Sequence, residues 1–265
     1  MTRLDRRRRC PCAFGLLELL VVISILGLLV SFLLPSLCSS RETANRVKCS
    51  SNLRQIGQAL LLYAQDNHGA YPRTTASAGP RRTPTAGTDG PAENDVTAAL
   101  FLLLRTQDIT AEGFVCPSSN AEKDTYDRKT PAQRSNFTDY RKNLSYSFQN
   151  PYPDDAAADA GAVKAAKAPD EELPVAADLN PGISPADADD VLRVTVSSSA
   201  KDMKLGNSNN HDKDGQNILY RDGHVGWESN PLVGVSRDNI YTTRDGKVNA
   251  SPVDAGDSIL LPTDD

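Results

Sequence analysis

Two stretches of this sequence set side chains where their types and spacing could do chemistry. The first is Asn207 to Pro231, NSNNHDKDGQNILYRDGHVGWESNP, where His211, Asp212, Asp214, Asp222 and His224 surround two short apolar runs. Asn210-x-Asp212-x-Asp214-Gly215 places oxygens at alternate positions ahead of a glycine, the opening of a calcium loop. The twelfth position should supply a bidentate glutamate and is Arg221, which excludes an EF-hand. The competing reading is a set of polar residues that simply close a hairpin. The second stretch is FGLLELLVVISILGLLVSFLL, Phe14 to Leu34, in which Glu18 is the one charged residue. A carboxylate near the apolar middle of a bilayer costs roughly 2.5 to 3.5 kcal/mol, so an acid kept there asks for a partner.

Catalysis is poorly supplied. An enzyme needs a nucleophile with a base, or a metal with an open position. The chain has three histidines, of which only His211 and His224 stand beside acids, and it lacks GxSxG, HExxH and phosphate-loop patterns. We therefore expect no enzymatic activity. The net charge of −5 includes a leader of five Arg and one Asp in residues 1–13, so the leader holds +4 and the remainder −9. An acidic remainder without a Lys/Arg cluster argues against nucleic acid as a partner, because phosphate binding needs a basic face.

The elements that must position these residues follow from patterning. Phe14 to Leu34 spans 21 residues, about 30 Å as a helix, the thickness of the hydrocarbon core. Basic flanks stay cytoplasmic, so the sequence predicts a single-pass span over residues 14–34 with everything beyond it on the far side. The stretch is too long for the apolar part of a cleaved secretory signal. Pro35 is expected to bend or break the helix. Apolar residues Val47, Leu53, Ile56, Leu60, Tyr63 and Ala64 then recur at three and four, which predicts an amphipathic continuation over 35–67 that ends near Asp66 to Gly69. Residues 73–94, rich in Thr, Ala, Gly and Pro, read as a mobile linker. Asp95 should cap a short apolar helix from Val96 to Arg105, too short to cross a membrane. Ala156 to Asp190 reads as solvated loop with a turn at ADLNPG, and Asp222-Gly223 joins two β-compatible runs, Asn217 to Tyr220 and His224 to Trp227.

With those residues in view, a resemblance emerges. A basic leader, a small residue, Phe, three residues, Glu and an unbroken apolar stretch resemble the N-terminal cleavage and methylation signal of type IV prepilins and type II secretion pseudopilins. In that family a membrane prepilin peptidase cuts before the Phe and methylates the new amino group. Laid on this sequence, the cut falls between Ala13 and Phe14, with Ala13 where the family has Gly, and Glu18 becomes the fifth mature residue. The resemblance gives Glu18 a partner, the terminal ammonium of Phe14 on a neighbouring subunit, and makes Pro35 a member of the assembling helix. The downstream strings CSSNLRQIGQAL, FVCPSS, NLSYSFQNPY and the His211…Asp222-Gly223 pattern resemble the DUF1559 (H-x9-DG) family of planctomycete-type proteins, here with ten residues between His211 and Asp222. Some secretion pseudopilins bind Ca2+ in a C-terminal loop, which keeps Asp212, Asp214 and Asp222 as candidate calcium ligands.

Five cysteines remain. Cys10 and Cys12 fall in the leader and Cys38 near the membrane surface, which leaves Cys49 and Cys116 either as a disulfide in an oxidising periplasm or as two unpaired thiols. Zinc is not indicated, since no CxxC pair accompanies a histidine. The resulting expectation is an α+β, pilin-like protein of the bacterial inner membrane. Its cytoplasmic N-terminal leader (1–13) is cleaved, its long N-terminal helix assembles with other pseudopilin subunits, and an extracytoplasmic head over 95–265 is built on a small antiparallel sheet. The rival is a membrane-anchored module that binds calcium or carbohydrate and never assembles.

Overall fold

The computed structural model describes residues 15–74, 94–152, 169–182, 193–248, 250–254 and 256–264, and for residues 32–39 the backbone only. The leader, the Ala13–Phe14 junction and nearly all of the expected linker (75–93) lie outside these residues. The chain divides into two compact units, residues 1–43 and 44–265, with helix α1 (Leu16–Asp66) entering both.

In the first unit every described side chain from Gly15 to Ser31 is exposed, including Leu16, Leu20, Ile23 and Leu28. The hydroxyls of Ser24 and Ser31 turn back on the helix, donating to the carbonyls of Leu20 and Leu28 at 2.7 Å. Their polarity is thereby consumed inside the helix itself. Among the described residues no helix is long and apolar enough to cross a membrane. The expected break at Pro35 does not occur, because the helix is continuous from Leu16 to Asp66.

The second unit is α+β, with helices packed on a five-stranded antiparallel sheet. Its strands are β1 (Tyr146–Gln149), β2 (Pro174–Asp178), β3 (Gln216–Tyr220), β4 (Val225–Glu228) and β5 (Leu260–Leu261), in the spatial order β4-β3-β2-β1-β5. Both faces of the sheet are covered over β1, β2, β3 and β5, which read as short buried runs with little polar alternation, while edge strand β4 is only half-buried. On one face Leu219, Ala176, Phe148, Tyr146 and Leu261 meet α1 and helix α2 (Val96–Thr106); on the other Ile218, Ala177 and Leu260 meet Ile240 and Tyr241 of the C-terminal segment.

The stripe that α1 buries in this unit is Cys49, Asn52, Leu53, Ile56, Ala59 and Leu60. Val47, expected on that stripe, is 64% exposed. At 100° per residue it sits about 240° from Leu53, off the buried face. Gly57 lies on the stripe for a steric reason: a Cβ there would stand 2.8 Å from Leu219 Cδ1, so its absence lets helix and sheet approach. Helix α2 starts as expected, with the Asp95 carboxylate accepting from Ala98 N at 3.0 Å, and Asn136 donates to the other carboxylate oxygen at 3.0 Å. The loop expected over 156–190 contains strand β2, whose five residues are all buried. The Ala-rich composition of PVAAD concealed a central strand flanked by β1 and β3.

Candidate functional site

The chemistry-bearing residues of the second unit meet beneath the sheet's end, where four elements converge. Cys49 comes from α1, Cys116 from the segment after a 3-10 turn (Ala111–Phe114), Asp178 is the last residue of β2, and His211 ends a 3-10 turn (Asn209–His211). All four are fully buried or nearly so, and their ligand atoms lie within 4.8 Å of one another. Cys49 and Cys116 are joined in a disulfide with a Cα–Cα distance of 5.3 Å, closing a separation of 67 residues.

His211 stands between sulfur and carboxylate. Its Nε2 lies 3.6 Å from Cys116 Sγ and 3.3 Å from Asp178 Oδ2. Because one nitrogen faces both groups, the trio is no catalytic relay, which needs a carboxylate on one ring nitrogen and the nucleophile on the other. Asp178 is fixed from the strand beside it: Asn217 donates to Oδ2 from its backbone N at 2.7 Å and from its side chain at 3.2 Å. Tyr241 donates its hydroxyl to the Asp178 carbonyl at 2.9 Å. Burial first, and the nearby Asp178 charge second, hold the phenols of Tyr146 and Tyr241 well above the ordinary tyrosine range.

An outer layer closes the site. Trp227 on β4 presents an edge-to-face contact to His211 at 5.4 Å, and the Arg46 guanidinium of α1 lies 4.3 Å above the indole. Arg46 also pairs with Asp214 at 2.8 Å, and Lys204 meets the same carboxylate at 2.9 Å. Hydrogen bonds from these two cations, Lys204 foremost, hold the Asp214 carboxyl below its usual range. One turn along α1 from Cys49, Asn52 donates to the Val115 carbonyl at 2.9 Å.

This arrangement separates the residues expected to act together over calcium. Asp214 is engaged by two cations at one end of β3, whereas Asp222 lies beyond the other end, in the β3–β4 turn. A strand of five residues, about 16 Å long, intervenes. Asp212 is a left-handed residue at the end of its 3-10 turn. Among the described residues, the only set of three or more His, Cys, Asp or Glu with converging ligand atoms is Cys49, Cys116, Asp178 and His211. Asp222 accepts from His224 N at 3.0 Å and from its ring at 2.6 Å, and Gly223 adopts φ +91° so that the turn closes. In the hairpin reading these two are turn formers, and His211 is not part of that turn.

Sequence reasoning missed Asp178 and dismissed a Cys/His/Asp donor set. The only local signal for Asp178 is a Val-Ala-Ala run ending at the ADLNPG turn; nothing local brings it to His211. Glu18 sits in the first turn of α1, exposed, with Oε2 accepting from Gly15 N at 3.4 Å.

Comparison with known proteins gives partial relatives. Over 74 residues the chain is 39% identical to the type II secretion system core protein G of Escherichia coli (strain K12), a match covering 28% of this chain and 48% of that protein. Over 69 residues it is 38% identical to the protein of the same name from Vibrio cholerae, covering 26% and 47%. Over 61 residues it is 46% identical to that of Klebsiella pneumoniae, covering 23% and 43%. No family model matches the chain, and no solved structure matches it significantly. The chain thus spans about half the length of the curated relatives it matches, and what it resembles in that part is core protein G of type II secretion.

Proposed function

We propose that this chain is a pseudopilin-like subunit of a type II secretion or type IV pilus-like apparatus. A prepilin peptidase processes it between Ala13 and Phe14, and it assembles through its N-terminal helix with other subunits of its kind. The similarity to several proteins named type II secretion system core protein G carries this reading. The exposed apolar half of α1 with its single acid supports it. A helix apolar all round belongs in lipid or against other helices, and an acid kept there needs a positive partner. Glu18 already accepts from the backbone N of Gly15, the residue after Phe14. In this reading its carboxylate is the partner of the terminal ammonium created at Phe14 of a neighbouring subunit. In this reading the protein is a single-pass protein of the inner membrane with the head outside the cytoplasm, and it works by assembly without catalysis. In this reading the head is DUF1559-like.

The test is intact-mass analysis of the membrane-fraction protein co-expressed with a prepilin peptidase, wild type against Glu18→Ala. Expected are loss of residues 1–13 and one added methyl on Phe14, with crosslinked multimers in the wild type that Glu18→Ala lacks. An uncut chain, or a cut after Leu34, overturns the reading and leaves the anchored or secreted binding module.

A further inference from the structure

We propose that, in its dithiol form, the head holds one zinc ion between Cys49, Cys116, His211 and Asp178. Two sulfurs, one imidazole nitrogen and one carboxylate oxygen converge in a fully buried site from four separate elements. A tetrahedral zinc shell, with Zn–S of about 2.3 Å and Zn–N or Zn–O of about 2.0 to 2.2 Å, needs donors about 3.3 to 3.8 Å apart. The His211–Asp178 and His211–Cys116 separations of 3.3 and 3.6 Å already fall in that range. All four donors lie within 4.8 Å of one another, so the shell closes when side-chain rotations part the two sulfurs and bring the remaining donors to those distances.

The donor chemistry selects the metal. Thiolates and imidazole favour zinc over calcium or magnesium, which prefer oxygen. The surroundings resemble the outer layer of metal centres, in which ligands are themselves held. Asn217 fixes Asp178 with two hydrogen bonds, and Trp227 braces the His211 ring. Binding balances simply: two thiols and Zn2+ give a zinc dithiolate and two protons, with no electron transfer. Forming the disulfide instead removes two electrons to a thiol–disulfide oxidant and two protons, and takes both sulfurs from the metal. The same pair is therefore a metal site while reduced and a covalent staple once oxidised.

The experiment uses the full chain in detergent with Cys10→Ser, Cys12→Ser and Cys38→Ser, so that Cys49 and Cys116 are the only thiols. Under a metal-free phosphine reductant it is titrated with Co2+ and then Zn2+. Expected are one cobalt per chain with a thiolate-to-metal charge-transfer band, displacement by zinc, and no binding by the oxidised chain or by further Cys49→Ser/Cys116→Ser. His211→Gln should weaken binding at least about tenfold, and Asp178→Asn should weaken it as well. Far-ultraviolet circular dichroism follows folding throughout. A folded dithiol chain that binds no metal overturns the proposal, as does an unchanged affinity in His211→Gln. If the dithiol chain unfolds, zinc should refold it, and failure to do so counts equally against the site.

Discussion

The Cys49–Cys116 bridge should be the largest single contribution to the stability of the head. It ties α1 to the segment that leads into the sheet and closes a separation of 67 residues. In the chain-entropy treatment a loop of that length removes about 4 kcal/mol of freedom from the unfolded chain. For a compact unit of roughly 200 residues each kcal/mol moves the melting temperature by about 2 to 4 °C, so Cys49→Ala/Cys116→Ala should melt about 8 to 16 °C below wild type. Trp227 is the only tryptophan and packs between Arg46 and His211, so its fluorescence reports on this region. The assay is a fluorescence melt of the full chain in detergent with a chelator present, which removes metal as a second staple. A loss of less than about 3 °C would mean that the bridge does not constrain the native head and would refute the reasoning.

Two further outcomes follow from the same core. Burial pushes the Asp238 carboxyl up to about 7, with the nearby Asp257 charge adding to it against the lowering by the Ser258 backbone N–H and Arg244. Between about pH 4 and 7 the folded chain holds a proton that the unfolded chain has released, so stability falls as pH rises through that window. Asp238→Asn should flatten the slope, though not abolish it, because Asp95 and Asp257 are raised in the same direction by burial; melts at pH 5 and pH 8 that differ equally in both proteins would count against it. At Gly57, Ala should cost up to about 2 kcal/mol, since helix propensity gains about 1 kcal/mol but a Cβ 2.8 Å from the buried Leu219 Cδ1 overpacks the helix–sheet approach by about 1 to 3 kcal/mol. Leu there should cost about 1 to 3 kcal/mol by overpacking, read as a lower denaturant midpoint at unchanged slope.

Legibility in the sequence tracked how local each cause was. The Asp95 cap, the end of α1 and the Asp222-Gly223 hairpin each rest on a few neighbouring residues, and the sequence states them nearly to the residue. Val47 was misplaced because a three-or-four spacing tolerates two phases over a short window, and tertiary packing chose the one through Cys49 and Asn52. At Pro35 the expectation of a bend or break is answered only for the break, since the helix runs on from Leu16 to Asp66. Strand β2 was hidden because alanine carries little strand propensity; its burial comes from lying between β1 and β3. The Cys/His/Asp cluster was out of reach for the same reason. Its four members are separated in sequence by 67, 62 and 33 residues and meet only once the sheet is ordered.

The two ends of the His211…Asp222-Gly223 pattern do different work, and their spacing has a geometric cause. His211 goes inward, onto the disulfide and Asp178. Asp222 and Gly223 turn the chain so that β4 runs back along β3, which sets Trp227 directly opposite Asn217. Asn217 is the residue that holds Asp178, and Trp227 is the one that braces His211. The hairpin thus returns its aromatic side chain to the cluster its own first strand has just passed. Because side chains alternate between faces, a one-residue slip would send Trp227 to the other side of the sheet and uncover His211. The same return brings Trp227 beneath Arg46 of α1. Arg46, Cys49, Asn52 and Gly57 then engage Trp227, Cys116, Val115 and Leu219 over three turns of helix. The helix that carries Glu18 at its start is therefore bound to the head by a cation–aromatic stack, a covalent bond, a hydrogen bond and a close helix–sheet approach within twelve residues. A displacement of this part of the helix along its axis would have to break all four together.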